Sequence, residues 1–296
     1  GKSTFHRVVV VLHRSFIVVL LPVLGGLLFF FGSLCFWPGA SREVESGGAL
    51  CFLVGSVCYL GAPLIDFWEL SFNYANLAEP PPPKVDRPQL LNSSVRYEFL
   101  YKAQMLRTQR ANALIYAVGG VFFVGGSTLF FPAMEEIIMH GGWLYITGCM
   151  LTLLGAVLAA LTASELRKTA PSFSYGSSLL HLPFWSDEEA TVASCLLYMA
   201  GNLIFIAGSV LFFPRILQAG GPVIRLTAVL LFLLGSALFF AGAVLDFLVL
   251  ARTMSGIKRT RLKGTPGLDQ RATMLRSWSD PELRTLAARS GVAEGP

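Results

Sequence analysis

Charge is scarce in this chain: 14% of its 296 residues are Asp, Glu, Lys or Arg, against about 25% in an ordinary soluble domain. With 54% hydrophobic residues, it lacks the polar surface to use water as its main solvent. Catalytic and metal motifs are missing too. The five cysteines, Cys35, Cys51, Cys58, Cys149 and Cys195, lie in or beside apolar runs without a C-x-x-C pair. They read as small hydrophobes rather than as disulfides or ligands. Cys51 and Cys58 share a helix face, but a metal site needs further ligands, and the sequence offers none nearby. No Walker loop, Rossmann glycine set, H-E-x-x-H or C-x-x-C-H occurs. His140 and His181 have no neighbouring nucleophile or acid pattern. His6 and His13 sit on one helical face and so cannot clamp a haem from both sides. The chain is therefore expected not to be an enzyme, with no catalytic, cofactor-binding or metal-ligating residue to nominate.

Long apolar runs are plentiful. About 20 apolar residues cross the hydrocarbon core of a bilayer as a helix, and six stretches qualify: 16–37, 49–67, 111–131, 142–163, 191–213 and 226–251. Helices satisfy their own backbone hydrogen bonds in lipid, and uninterrupted runs do not resemble the alternation of a membrane barrel. The expected fold class is an all-α membrane protein with six transmembrane helices arranged as three helix hairpins, amphipathic interfacial helices and extended tails. The first run is of spanning length and no small-residue cleavage site follows it, so no cleavable signal is expected.

Six crossings put both termini and the two long connections on one side, here side A. Of the 23 Lys and Arg residues, only Arg42, Arg215 and Arg225 fall on the three short turns of the opposite side B. The positive-inside bias then turns side A toward the cytoplasm, matrix or stroma. This topology accounts for the basic pI without nucleic acid. Asn92-Ser93-Ser94 fits a glycosylation sequon but lies on the side that glycosylation does not reach.

Laid over one another, the odd-numbered runs read GGLLFFFGSLCFWP, GGVFFVGGSTLFFP and GNLIFIAGSVLFFP. All three obey G-x3-F-x2-G-S-x2-F-[FW]-P. The matched positions are Gly25, Phe29, Gly32, Ser33, Phe36 and Pro38; Gly119, Phe123, Gly126, Ser127, Phe130 and Pro132; and Gly201, Phe205, Gly208, Ser209, Phe212 and Pro214. Glycines seven apart lie on one face and let a neighbouring helix approach, which matters in lipid because close van der Waals contact drives association there. The serine can bond its own helix or the next, phenylalanines fill the space beside the groove, and proline ends the helix at the side-B interface. The even runs carry a weaker echo: Gly55 with Ala62, Gly148 with Gly155, and Gly235 with Gly242. A serine follows in Gly55-Ser56 and Gly235-Ser236, and a cysteine in Gly148-Cys149. Such stripes serve packing within a bundle or between subunits, and the sequence does not divide them.

A hairpin with these Gly-Ser pairs and a Phe-Phe-Pro exit resembles the YrhK-like domain, a two-helix membrane module, over 24–70, 112–166 and 195–252. The resemblance implies three tandem hairpins and carries no activity with it.

The chain accordingly divides into a basic interfacial extension (1–15), hairpin 1 (16–70), a Pro-rich linker with an amphipathic helix (71–110), hairpin 2 (111–166), a connection (167–190), hairpin 3 (191–252) and a basic tail (253–296). His6, Arg7, His13 and Arg14 form a basic stripe suited to lipid phosphate. Glu79-Pro80-Pro81-Pro82-Pro83-Lys84 should be a stiff polyproline segment. Ser93 or Ser94 could cap a helix that runs into the third crossing, and Ser279-Asp280-Pro281 reads as a second helix start.

Asp66 and Asp246 occupy equivalent positions in the first and third hairpins, while the second has Ala159 there. An intramembrane carboxylate is a functional hypothesis by default, yet both lie near side A, where an arginine such as Arg14 or Arg252 could pair with them. A structural ion pair is the favoured reading.

The leading expectation is a non-catalytic accessory subunit of a larger membrane complex, respiratory or photosynthetic. It would sit in an organellar inner membrane, mitochondrial ahead of plastid, with both termini on the matrix, stromal or cytoplasmic side. Its expected partners are membrane lipids, some of them bound, and other membrane subunits, but no nucleic acid. The alternatives are a small-solute or ion transporter or channel, and a quinone- or pigment-binding membrane protein. Mitochondrial carriers also have three two-helix repeats, but their P-x-[DE]-x-x-[KR] signature is not matched by PGASRE, PAMEEI or PRILQA.

Overall fold

The computed structural model describes the backbone of residues 2–78, 93–169 and 187–262, and the side chains of 16–72, 104–134, 136–164 and 189–252. Several expectations lie outside the described residues: the polyproline segment, the sequon at Asn92, His181, the helix start at Ser279, and the side chains of His6, Arg7, His13 and Arg14.

The described residues are helical almost throughout: α1 (Lys2–Leu34), α2 (Arg42–Ala78), α3 (Ser93–Leu129), a 3-10 turn (Pro132–Ile137), α4 (Ile138–Thr169), α5 (Asp187–Leu211) and α6 (Pro214–Leu262). All six α-helices are long and apolar enough to cross a membrane. Between 28% and 44% of the most apolar window of each helix is buried, and each helix also carries exposed positions. Outward positions are themselves apolar, among them Phe31, Val54, Val121, Leu161, Leu203 and Leu234. That combination is compatible with a lipid surround.

Helix ends extend beyond the apolar runs for local reasons. Rather than at Ala49, α2 begins at Arg42. Ser41 Oγ accepts the Val44 N–H at 3.4 Å, and Glu43 and Glu45 occupy the first turn, where carboxylates suit the helix dipole. Helices α1, α3 and α5 end just ahead of Pro38, Pro132 and Pro214. Pro132 and Pro214 then open the next helical segment, the position where a missing N–H costs least. In α6 the helix breaks at Gly221, whose φ of +58° is open to glycine without a Cβ penalty, and Pro222 follows. Ser93 starts α3, which continues unbroken from the expected amphipathic stretch into the third crossing.

The chain divides into two compact units, 1–173 with 182–250, and 174–181 with 251–296. In the second, the structure describes only the continuation of α6 to Leu262. In the first, the six helices form a closed ring. Neighbours in sequence pack together: α1 with α2, α2 with α3, α3 with α4 and α4 with α5. Gly201 meets Phe239, joining α5 to α6, and Gly26 meets the Phe240 backbone, joining α6 back to α1.

Candidate functional site

The glycines of the odd helices all turn inward onto a partner helix. A Cβ at Gly25 would stand 2.8 Å from the Tyr59 ring and 3.0 Å from the Gly55 carbonyl oxygen. At Gly119 it would stand 2.8 Å from Thr152, and at Gly201 2.7 Å from the Phe239 ring. Two turns further, Gly32 lies against Cys51, Gly126 against the Tyr145 ring and Gly208 against the Phe232 ring. The even helices reciprocate, with Gly55, Gly148 and Gly235 receiving the rings of Phe29, Phe123 and Phe205. Within each pair, ring fits into glycine notch in both directions, and the backbones come closer than side chains would allow. The stripes that the sequence left undivided between bundle and subunit contacts are occupied within this chain.

A second set of contacts joins one pair to the next. A Cβ on Gly26 would lie 2.9 Å from Phe240 Cα, and one on Gly120 would lie 2.9 Å from Leu60 Cα. The third seam has Asn202 at the aligned position. Its Oδ1 accepts a 2.6 Å hydrogen bond from Thr152 Oγ1, and its Nδ2 donates to the Tyr198 carbonyl at 2.8 Å. The motif serines sit beside these seams. Ser33 Oγ donates to the Phe29 carbonyl at 2.7 Å and approaches Ser236 Oγ at 3.4 Å. Ser127 Oγ lies 2.8 Å from both Ser56 Oγ and the Tyr145 hydroxyl. Ser209 is fully buried, and its hydroxyl has no partner; the residue aligned with Ser56 and Ser236 is there Cys149.

The rings that fill these notches meet in the middle. Phe52, Tyr145 and Phe232 form a triangle with centroid separations of 5.8, 6.2 and 6.3 Å, inside the range of favourable edge-to-face contact. Toward side B, Phe36 and Phe130 each contact Phe212. Toward side A, Phe29 contacts Phe205, and Tyr59 contacts Phe239. The interior of the ring is a stack of aromatic side chains.

The two aspartates have different surroundings. Asp246 Oδ2 accepts a 3.0 Å hydrogen bond from the Tyr198 hydroxyl of α5, with Ser194 alongside. Tyr59, Tyr116 and Cys195 lie within electrostatic reach of its carboxylate. The Tyr59 hydroxyl and Asn112 Oδ1 are buried without partners, which sets an unsatisfied donor and an unsatisfied acceptor in the ring interior. The charged neighbour of Asp66 is Glu69, one turn on, and Arg110 lies over the adjacent Phe67 ring at 5.3 Å. For Asp246, then, the partner in view is Tyr198 of α5. The side chain of Arg14 is outside the described residues.

Tyr59, Tyr116 and Tyr198 were not singled out from sequence. The signal was present in the motif frame: Tyr116 and Tyr198 each stand three residues before the first motif glycine, and Tyr59 stands four after Gly55. The comparison with known families falls on this last pair of helices. Residues 189–250 match the family described as YrhK-like protein. No curated protein and no solved structure matches the chain. The YrhK-like match covers α5 and the membrane span of α6, including Gly201, Phe205, Gly208, Ser209, Pro214, Gly235 and Asp246.

Proposed function

We propose that this chain is a non-catalytic structural subunit of a larger membrane complex, built as three tandem YrhK-like hairpins closed into a ring. The tandem reading rests on the motif residues of α1–α2 and α3–α4: Phe29 on Gly55 and Phe123 on Gly148 repeat the contact of Phe205 on Gly235 in the family-matched pair α5–α6. The observation that carries the structural role is the filled interior. The triangle of Phe52, Tyr145 and Phe232 occupies the middle of the ring. Glycine contacts at backbone distance leave the helices little slack to rock against one another. Such a bundle suits a rigid spacer that presents apolar outer faces to lipid and neighbouring subunits. The proposed setting is an energy-transducing organellar inner membrane, mitochondrial ahead of plastid, with the cation-rich termini on the matrix or stromal side.

The test is solubilisation of the native membrane in mild detergent, native gel separation, and mass spectrometry of co-migrating chains. Migration only within a large complex of defined partners supports the proposal. Migration alone or as a small homo-oligomer overturns it.

One observation favours a second reading, proton or ion handling. The Asp246–Tyr198 pair lies within electrostatic reach of the unpartnered Tyr59 hydroxyl, and intramembrane carboxylates of this kind mark ion pathways. Flux through the reconstituted protein that Asp246→Asn abolishes would select this reading.

A further inference from the structure

The side-B end of the ring encloses a cavity of about 450 Å³, reached from all three short turns. This volume falls within the roughly 300–1,000 Å³ of small-molecule sites, which combine apolar walls with a few placed polar groups. The walls are the rings of Phe36, Phe52, Phe130, Phe212 and Phe232. Charge enters at the rim, from Arg42, Glu45 and Arg225. Thus two of the three cations on the side-B turns line one cavity.

Their bonding leaves capacity for a ligand. Arg42 is exposed at the mouth, and its Nη2 donates to the Pro132 carbonyl at 2.9 Å, across to the α3–α4 turn. Arg225 pairs with Glu45 through Nη2, while its Nε is buried with no acceptor. Two guanidinium groups against one carboxylate make the polar rim net positive. The guanidinium donors that these bonds leave open make their strongest hydrogen bonds to an anionic oxygen. The rest of the lining is hydrocarbon and aromatic apart from Ser33.

We propose that this cavity binds an amphipathic anion: one hydrocarbon chain laid on the phenylalanine walls, ending in a carboxylate or phosphate head held by Arg42 and Arg225. A neutral lipid would offer the arginines acceptors but no countercharge, and so weaker hydrogen bonds, and a cationic amphiphile would meet like charge. The site lies at the interfacial level, where both free fatty acids and single-chain phospholipids carry their heads. It is independent of the structural-subunit reading.

The test uses the full chain, purified and delipidated in a maltoside detergent, and titrated with radiolabelled palmitate. Saturable 1:1 binding is expected, at least tenfold weaker for methyl palmitate and for hexadecyltrimethylammonium. Ala40→Phe, which adds bulk from a turn residue lining the cavity, should lower palmitate affinity at least tenfold. Arg42→Gln should do likewise, and as a substitution at an exposed residue it keeps the test valid if Ala40→Phe fails to fold. The double variant Arg225→Gln/Glu45→Gln removes the second guanidinium without orphaning the carboxylate; because Arg42 keeps the site net positive, it should lower affinity by less than Arg42→Gln. Tighter competition by 1-palmitoyl lysophosphatidate, lost in the same variants, assigns the head to a phospholipid. Weaker competition assigns it to a free fatty acid. Non-saturable binding, equal affinity for the ester, or unchanged affinity in the folded variants overturns the proposal.

Discussion

Thr152 of α4 donates a 2.6 Å hydrogen bond to Asn202 of α5, at the level where the other two seams of the ring close by laying Gly26 on Phe240 and Gly120 on Leu60. One seam is thus held by a polar clasp and two by backbone approach. Hydrogen bonds between membrane helices contribute about 0.6 kcal/mol on average, with a maximum of about 1.7. Asn202→Ala and Thr152→Val should each destabilise the folded protein by an amount in that range. Because the two residues share one bond, the double variant should cost less than the sum of the singles. Thermal unfolding in detergent measures this, and strict additivity would show that the bond carries no coupling.

Gly26 and Gly120 admit no side chain, because the atoms they face are backbone. Gly26→Ala and Gly120→Ala should each cost about 1–3 kcal/mol, the usual penalty of overpacking. Gly47, on the same helix as Leu60, faces open space, and a Cβ there would meet nothing within 4 Å. Gly47→Ala should leave the unfolding temperature unchanged or raise it.

Cys149 stands where the other two seams have Ser56 and Ser236, and the serine on the other side of that seam, Ser209, has no hydrogen-bond partner. Cys149→Ser should restore a pair like Ser56–Ser127 and stabilise the bundle by about 0.6 kcal/mol. Ser209→Ala should be neutral or stabilising, since it removes a buried hydroxyl that makes no bond. By contrast, Ser127→Ala should destabilise, because it removes the hydroxyl that lies 2.8 Å from both Ser56 and Tyr145. A loss in Ser209→Ala equal to that in Ser127→Ala would contradict this account.

The Asp246–Tyr198 bond joins α5 and α6 within the family-matched pair. Asp246→Asn keeps an acceptor of the same shape, whereas Asp246→Leu leaves the Tyr198 hydroxyl buried without one. Unfolding should therefore be shifted little by Asn and lowered by about 1–3 kcal/mol by Leu. Co-migration of Asp246→Asn with partner subunits should match wild type if the chain is structural. Its loss would point to a role for the charge itself.

The six helices of spanning length were legible because lipid imposes one rule, internal backbone satisfaction over about 20 apolar residues, and that rule is written directly into composition. The Gly, Phe and Ser positions were legible for a similar reason. Apolar surface alone drives no association in lipid, so close contact needs small residues, and these recur at fixed spacing. Their destination was not legible. A glycine stripe reads the same whether a ring of its own chain or a neighbouring subunit fills it, and only the fold put Tyr59, Thr152 and Phe239 there. The closure of α6 on α1, the Asn202–Thr152 clasp and the partnering of Asp246 by Tyr198 join residues far apart in sequence, and a single polar residue in an apolar run does not name its partner. The side-B cavity was also hidden. Arg42 and Arg225 counted in the sequence only as exceptions to a charge bias, and it took the three turns meeting around one aromatic lining to bring them to the same hollow. Solvent preference is a property of each segment and is set locally, whereas which surfaces touch depends on all six helices packing at once.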